Sequence, residues 1–323
     1  MSCKINARKV VIIGNGAVGS TLAYTLMMGH AVNEISIVDV NKSKVEGDVL
    51  DMGDGMSFVS PKTIKAGDYD DCEDAHIIVI TAGAGQKPGE TRMDLLKKNA
   101  AIMNSVCDNI KPHLNPETIV VVVSNPCDVL TYLAYKKLGL PSRQIFGSGT
   151  VLDTSRMKTA ISDILHIDPR NVHTFVVGEH GDSEVAAWST TSIAGLSLID
   201  YCSRYGRSEQ FSAANLHALH DNVRNKAYEI IAKKGATFYA VALAVSKILN
   251  VILNDENHVL TVSTYIENEF NGNLKDVFLS LPCVVGSRGV EYIIHPNDTS
   301  TEQLDIIASG NSIKEKIAEC MSE

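Results

Sequence analysis

The chemistry-bearing residues that stand out first are three glycines. Gly14, Gly16 and Gly19 form G-x-G-x-x-G directly after the apolar run KVVIIG at residues 9 to 14 and just ahead of a helical pattern. The first glycine permits a tight turn, the second lets backbone approach a pyrophosphate, and the third allows close helix packing. Asp39 closes the next apolar run, 20 residues after Gly19, where a carboxylate accepts hydrogen bonds from ribose hydroxyls. A 2′-phosphate in that place would meet an unneutralised negative charge, so the pattern selects NAD over NADP. Asp39 can also cap a turn before Asn41, and the two roles are compatible.

Such a site needs a parallel sheet with helices on both faces. Four runs have strand length and read apolar on both faces: residues 9 to 14, 34 to 40, 75 to 81 and 118 to 125. Helical stretches near 17 to 29, 42 to 52, 94 to 111 and 127 to 138 separate them, punctuated by Gly29, Pro112, Gly139 and Pro141. This is the alternation of right-handed βαβ units, and it predicts a doubly wound parallel-sheet α/β Rossmann domain over residues 1–149. After Gly149 the rhythm changes to α+β. A helix over 150 to 165 is followed by strands at 172 to 177 and 185 to 191. A long helical region from 207 to 250 is broken near Gly235, and strands at 257 to 264, 276 to 285 and 289 to 294 precede a closing helix over 301 to 318. Residues 150–323 are thus expected to form a substrate domain.

Composition narrows the function classes. The 323 residues are 45% apolar and 21% charged, and 29 basic against 38 acidic residues give a net charge of −9, which argues against a nucleic-acid partner. The seven scattered cysteines never form C-x-x-C and read as free thiols, and no His/Cys/Asp cluster has metal-ligand spacing. The polar start MSCKINARK is unlike a signal peptide, and no apolar stretch approaches ~20 residues, so a cytoplasmic protein without membrane association is expected.

Four further blocks carry a family resemblance: AGAGQKPGETR at 82 to 92, SNPCDVLTY at 124 to 132, GSGTVLDTSR at 147 to 156, and GEHGDS at 178 to 183. With the glycine motif, and in the same order and spacing, they resemble the lactate and malate dehydrogenase family over essentially the whole chain. The resemblance implies reversible hydride transfer between NADH and a small 2-oxo acid. It implies His180 as proton donor and acceptor, a role suited to a group whose ordinary pKa is ~6.5. Asp153 resembles the carboxylate that orients that imidazole, and Arg156, three residues on and therefore on the same helical face, the guanidinium that binds the substrate carboxylate in two parallel bonds. Arg92 matches the arginine that polarises the reacting carbonyl after a loop containing Gly83, Gly85 and Gly89 closes, and Asn125 the asparagine near the substrate oxygen. Val18, Gly83, Ala84 and Ser124 fall at cofactor-contacting positions beside Gly14, Gly16, Gly19 and Asp39.

The substrate reading rests on Gln86 and Thr237. Malate dehydrogenases of the family carry an arginine at the position of Gln86, where it pairs with the second carboxylate of oxaloacetate. Without that cation a dehydrated pocket penalises a second negative charge, so a methyl group and hence pyruvate is favoured. Thr237, in KGATFYA, resembles the threonine that narrows the space around that methyl group. A malate dehydrogenase, a dehydrogenase of another L-2-hydroxy acid, and a non-catalytic binding protein on the same fold are the alternatives.

Bacterial members activated by fructose 1,6-bisphosphate use an arginine and a histidine at positions matched here by Lys158 and His173. The resemblance leaves two readings open, a cationic effector site or a solvated lysine and a structural strand histidine. It also implies a homo-oligomer, usually a tetramer.

Overall fold

In a computed structural model the chain is described at residues 6–85, 89–295 and 300–321. The first half runs β1 (Asn6–Ile13), α1 (Ala17–Met28), β2 (Glu34–Val38), α2 (Lys42–Asp54), β3 (Thr63–Ala66), β4 (Ala75–Ile80), α3 (Arg92–Ile110), β5 (Ile119–Val122), α4 (Cys127–Leu138) and β6 (Ile145–Gly147). These six strands are parallel in the order β3-β2-β1-β4-β5-β6. The order reverses between β1 and β4, which is where ligands bind in doubly wound folds, beyond the carboxyl ends of the strands.

Alternation along the strands builds the core. Val11, Ile13, Ile78, Ile80, Val120 and Val122 pack on one face, and Val10, Ile12, Ile77, Val79, Ile119 and Val121 on the other, all buried. Runs that are apolar at every position thus bury both faces, as the sequence predicts. The short strands β3 and β6 go beyond the four expected.

The second half runs α5 (Val151–Leu165), β7 (Val172–His173), β8 (Val176–Gly178), β9 (Glu184–Ala186), β10 (Ser192–Ile193), β11 (Leu196–Ser197), α6 (Leu198–Arg204), α7 (Ala213–Lys234), α8 (Tyr239–Leu253), β12 (His258–Ile266), β13 (Val277–Gly286), β14 (Gly289–Ile293) and α9 (Ser300–Met321). β12 pairs antiparallel with β6 through Ser263 and Gly147, so one sheet continues from β6 into β12, β13, β8 and β9. The stretch 172 to 177, expected as one strand, is divided. Val172–His173 pairs with β10 in a separate three-stranded sheet, while Val176–Gly178 pairs with β9 and β13, and the buried Thr174 turns between them with its hydroxyl on Thr191 at 2.7 Å. The long helical region breaks after Gly235, whose φ of +84° ends α7 in the left-handed region. Among the described residues no helix is long and apolar enough to cross a membrane.

Candidate active site

The glycine turn fits a dinucleotide. Gly14 has φ +106°, and a Cβ there would meet the backbone of Ala82 at 2.6 Å; one at Gly19 would overlap the Gly14 carbonyl. At Gly16 nothing stands within 4 Å of the place a Cβ would occupy, and α1 starts there without a side-chain cap or an acidic residue in its first turn. Its amino-terminal amides are therefore open to an anion. Asn15, in the same turn, keeps a buried Oδ1 without a hydrogen-bond partner. Asp39 accepts from the amides of Asn15 at 2.6 Å and Asn41 at 2.8 Å. Its turn-capping role is thus explicit, and the carboxylate still has lone pairs for a ribose.

Asn99 of α3 braces the other side of this crevice. Its Oδ1 accepts from the Ala84 amide at 2.8 Å and its Nδ2 donates to the Asn125 carbonyl at 2.8 Å, fixing the segments that follow β4 and β5. Gly83 packs near the same amide, and Ser124 donates to the Ala82 carbonyl at 2.6 Å. Asn99 is a residue that sequence reasoning missed, because nothing in its helical context marks it.

His180 sits in the tight loop between β8 and β9, which pair in register with Gly178 opposite Glu184. Its Nδ1 lies 2.6 Å from Asp153 Oδ2, and the other oxygen of Asp153 accepts from Arg156 Nη1 at 2.8 Å. Asp153 lies in the first turn of α5 and is buried. Burial alone would push its carboxyl up, but His180 and Arg156 hold it below the ordinary value. Burial likewise disfavours the imidazolium, yet the Asp153 charge, aided by Asp128 and Glu184, outweighs it and raises His180 to about 9.

A second carboxylate anchors the histidine from behind. Asp128 accepts from the His180 amide at 2.8 Å and from the Ser263 hydroxyl at 2.5 Å. Full burial pushes it up to about 6 against those hydrogen bonds. It stands inside the SNPCDVLTY block, yet nothing in that block singles it out. Ser309 of α9 completes the clamp by accepting from the Glu179 amide at 2.8 Å.

One cavity of about 150 Å³ gathers the expected residues: His180, Arg156, Asn125, Thr237 and Val18 line it, with Ala227 and Ile231 of α7. Arg92 is not among them. It opens α3, exposed, with Nη1 on Asp182 and Nη2 donating to the Tyr228 hydroxyl at 2.9 Å. Gln86 and neighbouring Lys87 lie outside the described residues. Lys158 lines a different cavity with Lys247 and His258, and burial pushes its ammonium pKa down; His173 is an exposed strand residue that does not line that cavity. Among the described residues no cluster of His, Cys, Asp or Glu could hold a metal ion, and the six described cysteines are free.

A glycine turn shaped for a dinucleotide, next to a buried carboxylate–imidazole pair with an arginine, fits the class of oxidoreductases that use a nicotinamide cofactor. The family model for the lactate/malate dehydrogenase NAD binding domain matches residues 8–147, and that for the lactate/malate dehydrogenase alpha/beta C-terminal domain matches residues 150–323. The chain belongs to the lactate/malate dehydrogenase family. It is 46% identical over 309 residues to L-lactate dehydrogenase 1 of Clostridium acetobutylicum, covering 96% of this chain and 97% of that one. It is 45% identical over 320 residues to an L-lactate dehydrogenase of Clostridium botulinum, with 98% and 99% covered. The minor L-lactate dehydrogenase of Enterococcus mundtii, solved in ligands-bound form, superposes with a TM-score of 0.93 at 40% identity over 98% of this chain and 99% of that chain. A lactate dehydrogenase from a Medee basin deep-sea metagenome library gives 0.91 at 39% identity, with 97% and 98% covered.

Proposed function

We propose that the chain is an NAD-dependent L-lactate dehydrogenase that interconverts pyruvate and L-lactate. The observation that carries this reading is the small cavity in which His180, held through Nδ1 by Asp153, faces Arg156, Asn125 and Thr237. NADH, when bound, supplies the hydride. Gly14, Gly16 and Gly19 form the cradle for its pyrophosphate, Asp39 the acceptor for ribose hydroxyls, and Val18, Gly83, Ala84 and Ser124 the walls. Arg156 holds the substrate carboxylate. His180 donates its Nε2 proton to the oxygen of the carbonyl being reduced and recovers it in the reverse direction, while Asp153 fixes the tautomer and favours the charged imidazole. Arg92 polarises the carbonyl after exchanging Asp182 and Tyr228 for substrate.

Thr237 in the cavity wall suits a methyl group beside it, and Gln86 in place of an arginine agrees with a substrate that carries one carboxylate. We further propose a division at 149/150 into dinucleotide-binding and substrate parts, supported by the parallel strands β1 to β6 before it and by Asp153, Arg156, His180 and Thr237 after it. A cytoplasmic setting agrees with the free cysteines. A homotetramer is supported by exposed Leu50 and Phe58, apolar side chains that one copy could offer another. The Lys158, Lys247 and His258 cavity supports an anionic effector such as fructose 1,6-bisphosphate, a reading to which His173, outside that cavity, adds nothing.

The deciding experiment is steady-state NADH oxidation with pyruvate, oxaloacetate and 2-oxoisocaproate, each with and without fructose 1,6-bisphosphate. Pyruvate is expected to give the highest kcat/KM. Preference for oxaloacetate would make the chain a malate dehydrogenase, and no turnover with any of the three would leave a binding protein on this fold.

A further inference from the structure

The loop that carries His180 meets a second acid–imidazole pair, between Glu184 and His220. Glu184 opens β9 four residues after His180, where its amide donates back to the Gly181 carbonyl at 3.2 Å. Its carboxylate is 2% exposed, and His220 of α7 approaches it at 3.3 Å between Nε2 and Oε1. Neither of those two buried atoms has a hydrogen-bond partner, so the approach at 3.3 Å is an ion-pair contact without hydrogen-bond alignment. An isolated buried carboxylate is costly, and His220 is the imidazole that stands within ion-pair distance of it.

His220 does not stand alone on its helix. Arg224 and Tyr228 follow at four-residue intervals on the same face. Arg224 Nη1 donates to the Asp182 carbonyl at 3.4 Å and the Tyr228 hydroxyl to the Asp182 carboxylate at 3.0 Å. One face of α7 therefore grips the segment 182–184 at three successive turns, and His220 is its innermost contact.

We propose that Glu184 and His220 act as a positioning pair for the reaction, fixing the segment that follows His180 and setting the electric field in which His180 holds its proton. The inference rests on His180 being the acid–base of the proposed dehydrogenase. The charged groups facing the pair are Asp153 and His180 on the inner side. On the outer side Asp182, Arg224, Glu302 and Asp305 line a cavity of about 530 Å³ that also reaches Glu184 and His220. Burial pushes the Glu184 carboxyl up, with His220 opposing and Asp153 adding to the rise. A negative charge on Glu184 in turn favours the imidazolium at His180. The pair is thus a charge near the reacting proton that touches neither substrate nor cofactor.

The test is the pKa of His180, read in two ways on Glu184→Gln, His220→Gln and the double variant. One is the histidine ring resonances of the isotope-labelled enzyme without substrate, with His180 assigned through His180→Asn. The other is the alkaline limb of kcat/KM for pyruvate reduction. Glu184→Gln removes the charge directly, and His220→Gln removes the imidazole that opposes the upward push of burial on the Glu184 carboxyl. Both are expected to lower the His180 pKa by roughly half a pH unit or more, and the double variant to shift it no further than either single one. An unmoved pKa in variants that fold, or shifts that add in the double variant, would overturn the pair. If Glu184→Gln fails to fold, His220→Gln and the double variant carry the same test. Wild-type protein that titrates as described but does not reduce pyruvate would sink the proposed activity and leave the pair standing.

Discussion

Two clusters of buried charge lie at opposite ends of the parallel strands. At the amino end, Lys9 of β1 is almost fully buried and meets Asp74 at 2.5 Å, Asp71 at 3.1 Å and Glu34 at 3.5 Å, with Lys65 joining Asp71 and Glu34. Beyond the carboxyl ends, Asp153, His180 and Arg156 form a cluster of similar depth. The titration directions separate them. Burial opposes the charges of Lys9 and Asp71, yet their partners overcome it and both shifts favour the charged form. Around His180 the directions conflict, with His180 raised and Asp153 lowered while the neighbours Asp128 and Glu184 are pushed toward the neutral form. A cluster whose every charge is answered serves stability, whereas one in which protons are contested and a wall is open to a cavity is equipped to exchange a proton.

This contrast can be broken at either end. The largest effect is expected from His180→Asn, which should lower kcat for pyruvate reduction by about 10³-fold or more while NADH binding, followed by fluorescence titration, stays within a few-fold of wild type. A kcat within tenfold of wild type would remove His180 from the chemistry. Arg156→Lys should follow, raising KM for pyruvate by about 100-fold through loss of the two-pronged carboxylate contact, with steady-state kinetics as the measure. At the other end, Lys9→Met should leave both kinetic constants alone and destabilise the fold by about 3 kcal/mol in denaturant titration, since it takes the buried cation from Asp74 and leaves Asp71 with Lys65 alone. A loss of turnover there would erase the distinction between the clusters.

The smallest expected effect sharpens the contrast through pH. Because the folded value of His180 is raised from 6.5 to about 9, its contribution to stability is complete below pH 6.5 and is lost as pH rises through about 9. Lys9 is raised from 10.5, so its contribution persists throughout that interval. The difference in Tm between wild type and His180→Asn should shrink from pH 6.5 to 9.5, and that between wild type and Lys9→Met should hold. Parallel behaviour of the two differences would mean that His180 is not the titrating group.

What could be read from the sequence follows the range of the interactions involved. The strands at 9 to 14 and 75 to 81 were legible because burial on two faces leaves continuous apolar runs, whereas TIKA of β3 and IFG of β6 are too short to carry a period. Asp153 and Arg156 could be placed on one face because a helix fixes three-residue spacing, and His180 stood out only through the block around it. Asn99, Asp128, Ser309 and the Glu184–His220 pair could not be read, since each gains its meaning from a partner brought near by the fold: Asp128 meets Ser263 across 135 positions, and Glu179 meets Ser309 across 130. Arg92 illustrates the reverse case, a residue legible in sequence whose contacts, on Asp182 and Tyr228, were not.

The junction of β6 with β12 has a consequence for biosynthesis. β6 ends at Gly147 and its outer neighbour begins at His258, so for more than a hundred residues of synthesis the growing parallel sheet presents an open strand edge. Open edges invite pairing with other chains. The brevity of β6, three residues long, limits how much edge is on offer until β12, made far later, covers it.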